Sequence, residues 1–169
     1  TIQPFPLVSI SATDRFSGGH GNMLVKLWSF ITLGDARGPE IDQGELQRYM
    51  GEMVWFPTAW LSDTIQWQGI DAHSVKVSLQ EPGVTASVVL HINEQGQLTH
   101  LTADRYMQDH GKYRLEPWSV QAQEYQEVEG MRIPTRVEIT WHLASGDFNW
   151  FRCKITEIEY NQSGKVTRL

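Results

Sequence analysis

From Ser74 onward, apolar and polar residues alternate, and residues that favour turns cut the alternation at short intervals. In Ser74–Gln80 (SVKVSLQ) the side chains of Val75, Val77 and Leu79 fall on one side, and Glu81-Pro82-Gly83 then supplies a turn. In Thr85–Asn93 (TASVVLHIN) Ala86, Val88, Leu90 and Ile92 share a side, and Glu94-Gln95-Gly96-Gln97 leads into Leu98–Tyr106. A period of two belongs to strands, because successive Cβ atoms point to opposite faces of a sheet. Connections this short join antiparallel neighbours, since a parallel crossover needs a dozen or more residues. The pattern continues through Tyr113 to Gln126, the turn Val128-Glu129-Gly130-Met131, and Arg132–Leu143, where Val137, Ile139, Trp141 and Leu143 share a face. Ser145-Gly146-Asp147 then opens Phe148–Tyr160. A meandering antiparallel sheet follows from this order.

The N-terminal part is less regular. Leu7 to Phe16 alternates loosely and stops at Gly18-Gly19-His20-Gly21, a strand ending in a loop. Met23 to Leu33 is dense in apolar and β-branched residues and is read as a strand, with a helix as the alternative. Gly34 to Pro39 is read as a turn-rich connection. A helix is predicted from about Asp42 to Val54, with Asp42 as cap and Glu45 three residues on in a capping-box arrangement. It places Leu46, Tyr49, Met50 and Met53 on one face and Gln43, Gln47 and Glu52 opposite. Pro57 ends it, and Trp55 and Phe56 mark the exit. A lone helix of this length is marginal in water, so its apolar face must lie on the sheet. The expected fold is α+β and mostly β: a curled antiparallel sheet with one or two helices on its concave face. The 169 residues carry no repeat or low-complexity tract and fit one domain, 1–169. Thr1 without Met or a signal peptide suggests a processed or truncated product of a longer precursor.

Charge and composition narrow the functional classes. With a net charge of −6 and basic residues scattered singly, the chain lacks the Lys/Arg stripe that nucleic acid requires and the polybasic cluster that draws a protein to an anionic membrane. No apolar run approaches the ~20 residues needed to span a bilayer. Cys153 is the one cysteine and is read as a small apolar residue in a strand. The six histidines show neither HExxH nor an i, i+4 helical pair, so no metal is expected, and no cofactor either. Gly18-Gly19-His20-Gly21 lacks the Lys-Ser/Thr of a phosphate loop, and no Gly-x-Ser-x-Gly elbow is present.

What stands out is aromatic: seven tryptophans, at positions 28, 55, 60, 67, 118, 141 and 150, with five Tyr and six Phe. Such residues line hollows for apolar ligands, and they also fill ordinary cores; both readings stay open. Under the first, Trp55, Trp60, Trp67, Trp118 and Trp141 form the wall, and Arg48 and Arg105 orient the ligand. Arg48 stands three residues after Glu45 and four before Glu52. Such a trio stabilises an exposed helix by only about a few tenths of a kcal/mol, but over a concave sheet it becomes an interior ion cluster. Glu45, Glu52 and His20 are the candidates for acid–base chemistry.

Gly38–Leu61 (GPEIDQGELQRYMGEMVWFPTAWL), Ile65–Asp71 (IQWQGID), Ser74–Leu79 (SVKVSL), Gly111–Trp118 (GKYRLEPW) and Gly130–Leu143 (GMRIPTRVEITWHL) carry a resemblance. Over about Asp14 to Asn161 the chain resembles an uncharacterised bacterial domain family of unknown function, whose longer members have a further N-terminal region with an apolar segment. In strand plan it is similar to the lipoprotein-carrier (LolA/LolB-like) superfamily, an unclosed curled sheet, or half-barrel, with helices on the concave side. The resemblance implies a bacterial envelope setting and a lipid or other hydrophobic ligand, and it implies no catalytic residues. A binding domain with an apolar cavity is therefore expected. The alternatives are a cofactor-independent enzyme using the same cavity, marked by a buried carboxylate of raised pKa, and an interaction domain with a filled core.

Overall fold

The computed structural model describes residues 2–5, 8–27 and 31–160, with side chains for 11–26 and 31–160. Strands β1 (Ile2–Phe5), β2 (Val8–Ser17), β3 (His20–Leu27) and β4 (Ile31–Ala36) form a four-stranded antiparallel meander. Helix α1 (Pro39–Glu52) follows, with two 3₁₀ turns at Met53–Trp55 and Pro57–Leu61. The chain then lays down β5 (Ile65–Gly69), β6 (Ser74–Glu81), β7 (Val84–Ile92), β8 (Leu98–Asp109), β9 (Lys112–Val128), β10 (Met131–Leu143) and β11 (Gly146–Lys154) as a second sheet in sequence order. That sheet does not close. Strands β5 and β11 remain its edges, and α1 lies over the concave side, so the architecture is the unclosed, mostly-β fold that the alternation demands.

The core is the apolar stripe of each strand facing the helix. Val77, Leu79, Ala86, Val88, Leu90, Leu101, Trp118, Val120 and Val137 are buried together with Leu46, Met50, Met53 and Val54. Cys153 sits in β11, partly buried against this cluster, and burial pushes its thiol pKa up, away from a reactive thiolate.

Three local expectations are corrected. Met23 to Leu33 is not one strand: β3 and β4 pair antiparallel with Leu27 opposite Ile31, and Gly34-Asp35-Ala36 completes β4. No Gly or Pro interrupts that stretch, so the reversal leaves no mark in the sequence; Trp28 lies outside the described residues. The helix begins at Pro39 after Gly38, with Pro in the first turn, where its missing N–H costs nothing. Asp42 caps nothing and instead accepts the Gly21 backbone N–H at 2.6 Å, tying β3 to the helix.

The third correction concerns the polar face of α1. Gln47 is 3% exposed, whereas Tyr49, expected on the apolar face, is 48% exposed. The cause lies in the sheet. Strands β7 and β8 pair only between Val89–Ile92 and Leu98–Thr102, and beyond that they splay. Gln47 Nε2 donates to the carbonyls of Ser87 (3.4 Å) and Asp104 (2.9 Å) across the split, and Gln43 Nε2 donates to Thr85 O (3.5 Å). The helix thereby satisfies strand carbonyls that the splayed ladder leaves without a strand partner.

Where β7 and β8 do pair, His91 and His100 stack in parallel with ring centroids 4.2 Å apart. Burial, and then the charge on His91, hold the His100 pKa below its ordinary value. The unfolded chain therefore binds this proton at a higher pH than the folded one, and stability falls as pH drops below about 6.5. The urea midpoint is expected to decline over that window, and His100→Gln should flatten the decline; an unchanged profile in the variant would refute the assignment.

Candidate functional site

Helix α1 packs over β7 and β8 on one side and under β2 and β3 on the other, which leaves a groove between it and strands β9–β11. Two helical glycines set its floor. A Cβ on Gly51 would lie 3.5 Å from the Trp118 ring, and one on Gly44 would lie 3.6 Å from Arg105 Nε, ordinary van der Waals contacts that mark how near the helix backbone lies to the two side chains.

The outer wall comes from an irregularity at the sheet edge. In the β10–β11 ladder Trp141 pairs with Phe148, Thr140 with Asn149 and Ile139 with Phe151, so Trp150 is the extra residue of a β-bulge. Regular alternation would send Trp150 and Phe151 to opposite faces. The bulge brings both to the groove, their ring centroids 5.9 Å apart, with Phe148 beside Trp141. Phe148, Trp150 and Phe151 are 51%, 52% and 41% exposed, a large apolar surface left open to water.

The groove has two lobes that share Trp150. The first, about 270 Å³, lies between the C-terminal half of α1 and Trp55, Trp118, Val120, Val137 and Ile139. Trp55 is fixed by donating its Nε1–H to Pro134 O (3.1 Å) and by accepting the Tyr160 hydroxyl at its own carbonyl (2.6 Å). Trp118 is 1% exposed, and its indole N–H has no partner among the described residues. The second lobe, about 230 Å³, lies beside the N-terminal half of α1, against Arg105, Tyr106, Tyr113, Trp141 and Phe148.

Charged groups rim both lobes. Arg48 ion-pairs with Asp14 of β2, with Glu45 at 3.3 Å and with Glu52 at 3.0 Å, so the helical trio gains a fourth member; with Arg48 and Glu52 still partly exposed, it is a rim cluster and not the interior one expected. Glu45 is 8% exposed, and burial pushes its pKa up against the pull of Arg105. The Arg105 guanidinium lies over the rings of Trp118 (5.2 Å) and Trp141 (5.8 Å). Among the described residues no group of three His, Cys, Asp or Glu side chains is placed to hold a metal ion.

A family model described as a family of unknown function (DUF6920) matches residues 1–160. The chain belongs to that family. No curated protein and no solved structure matches it.

In this DUF6920 chain all the candidates read from the sequence except His20 fall into three places. Arg48, Glu52, Trp55 and Trp118 line the first lobe, and Glu45, Arg105 and Trp141 line the second. Trp60 and Trp67, with ring centroids 6.0 Å apart, lie instead in a separate recess of about 480 Å³ near Val54, Leu90, Leu98 and Tyr125. The five tryptophans therefore do not share one wall. His20 is 82% exposed, pairs with Asp42 at 3.5 Å and lines neither lobe. Sequence reasoning missed Asp14, Phe148, Trp150 and Phe151, and also the use of Gly44 and Gly51. The bulge left no sign in the sequence.

Proposed function

We propose that this protein binds a lipid or other hydrophobic molecule in the groove between α1 and strands β9–β11. The observation that carries the reading is the bulged edge strand, which turns three half-exposed aromatic residues toward an apolar groove instead of packing them away. Leaving such surface wet forgoes roughly 25 cal/mol per Å² of apolar area, a loss recovered when a ligand covers it. Two adjoining lobes also approach the size of small-molecule sites, roughly 300–1,000 Å³. The resemblance in strand plan to lipoprotein carriers, drawn from the sequence, is what first suggests such a ligand.

A neutral naphthalene dye is the direct test. Saturating N-phenylnaphthylamine should change tryptophan emission and raise the melting temperature by mass action. Trp150→Ala, at a half-exposed rim, should abolish both effects while changing stability by no more than about 0.5 kcal/mol. Trp67→Ala, equally exposed but in the separate recess, should keep both. No response in the parent protein, or equal loss in the two variants, would dismiss the groove.

The enzymatic alternative draws on Glu45, the one buried groove carboxylate whose pKa is raised. Its carboxylate is engaged by Arg48, and its Cγ is closely covered by Gly21, where a Cβ would lie 3.0 Å away. That commitment to an ion cluster favours binding over proton transfer.

A further inference from the structure

The guanidinium of Arg105 has five N–H donors, and no described residue accepts a hydrogen bond or forms an ion pair with any of them. Its Nε is wholly buried. Its cross-strand partner Glu116 is turned to Arg114 at 3.5 Å. The carboxylates of the Arg48 cluster are held by Arg48, and Glu45 acts on Arg105 only through space. Beneath it lie the faces of two tryptophans, and beside it the bare backbone of Gly44, which offers space and no acceptor. Burial lowers the Arg105 pKa, as expected of a cation removed from water without full compensation. Folded proteins seldom leave a buried charged donor such as this Nε–H unmatched, because it carries its whole desolvation penalty.

This unmatched cation stands in the second lobe of the groove, which continues past Trp150 into the first, where Val120, Val137 and Ile139 form an apolar wall and the charged Asp14, Arg48 and Glu52 also line the space. Alongside, α1 and the turn after it run from Ile41 to Trp55, about 20 Å at 1.5 Å per residue. We infer that the ligand is a single-chain anionic amphiphile whose carboxylate is gripped by Arg105 and whose alkyl chain lies along the aromatic trough. The planar fork of a guanidinium matches a carboxylate with two parallel N–H···O bonds, and the tryptophans that flank it exclude competing water. The inference rests on the hydrophobic-ligand reading above and adds the head group to it.

Calorimetric titration with laurate, dodecanol and dodecyltrimethylammonium, each below its micellar concentration, separates the possibilities. Laurate should bind at least about tenfold more tightly than dodecanol, and the ammonium compound more weakly than either. Arg105→Met keeps the apolar stem and removes the charge, so it should bring laurate down to the affinity of dodecanol and leave dodecanol unchanged. Arg105→Lys should restore part of the preference. A parent protein that binds laurate and dodecanol equally, or an Arg105→Met variant that keeps the preference, would overturn the head-group assignment while the apolar groove stands. If none of the three binds, the groove reading falls with it.

Discussion

Met50→Asp is expected to leave the chain unfolded in dilute buffer. Met50 is 0% exposed and lies where α1 meets the concave stripe, in the same cluster as Leu46, Met53, Leu101 and Val120. Truncating such a side chain costs about 2–5 kcal/mol, and an unpaired carboxylate at the same point adds a desolvation penalty of several more. Set against a total stability of about 5–15 kcal/mol, the sum leaves little folded population. Met50→Leu, which conserves volume, should cost less than about 1.5 kcal/mol. Urea unfolding followed by circular dichroism and tryptophan emission reads both. A loss below about 1 kcal/mol for the aspartate variant would mean that α1 is not seated as described.

Gly19→Ala should cost about 2–4 kcal/mol, and Gly18→Ala, one residue away, only about 1–2. Both glycines turn β2 into β3 with positive φ, 84° at Gly19 and 59° at Gly18, so each variant pays a backbone penalty for an L side chain. Only at Gly19 would the new Cβ overlap the carbonyl of Pro82, in the β6–β7 turn; around Gly18 the space is open. The difference between the two variants therefore measures the contact by which the four-stranded meander sits on the larger sheet. Equal losses by differential scanning calorimetry would show that the turns do not press on one another. The Gly-rich stretch that superficially resembled a phosphate cradle is explained by close approach: Gly19 meets Pro82, and Gly21 meets Ile41 and Glu45.

The parts legible in the sequence are those governed by near-neighbour physics. Alternation at Val75/Val77/Leu79 and at Ala86/Val88/Leu90, with turns at Pro82-Gly83 and Glu129-Gly130, reports a period and a reversal, and both survive into β6–β10 with small changes at the ends. The apolar spacing of Leu46, Met50 and Met53 likewise reports the buried face of α1. Boundaries failed where a local signal had a competitor. Asp42 and Glu45 fit a capping box, yet Pro39 already begins the helix, and the two side chains are drawn to Gly21 and Arg48.

The sequence by itself determined the class of fold, because side-chain period and turn chemistry are properties of adjacent residues. Only tertiary structure decided the site. Whether Gln47 meets water or a split between β7 and β8 depends on a ladder formed some forty to sixty residues away. Whether Trp150 joins Phe151 on the groove side depends on one unpaired position in the β10–β11 register, which FNWF does not announce. Whether Arg105 finds a partner depends on Glu116 choosing Arg114, and on a helix that brings it Gly44, which has no side-chain acceptor. Each is a contest between groups distant in the chain, settled by which backbone positions the folded sheet brings together.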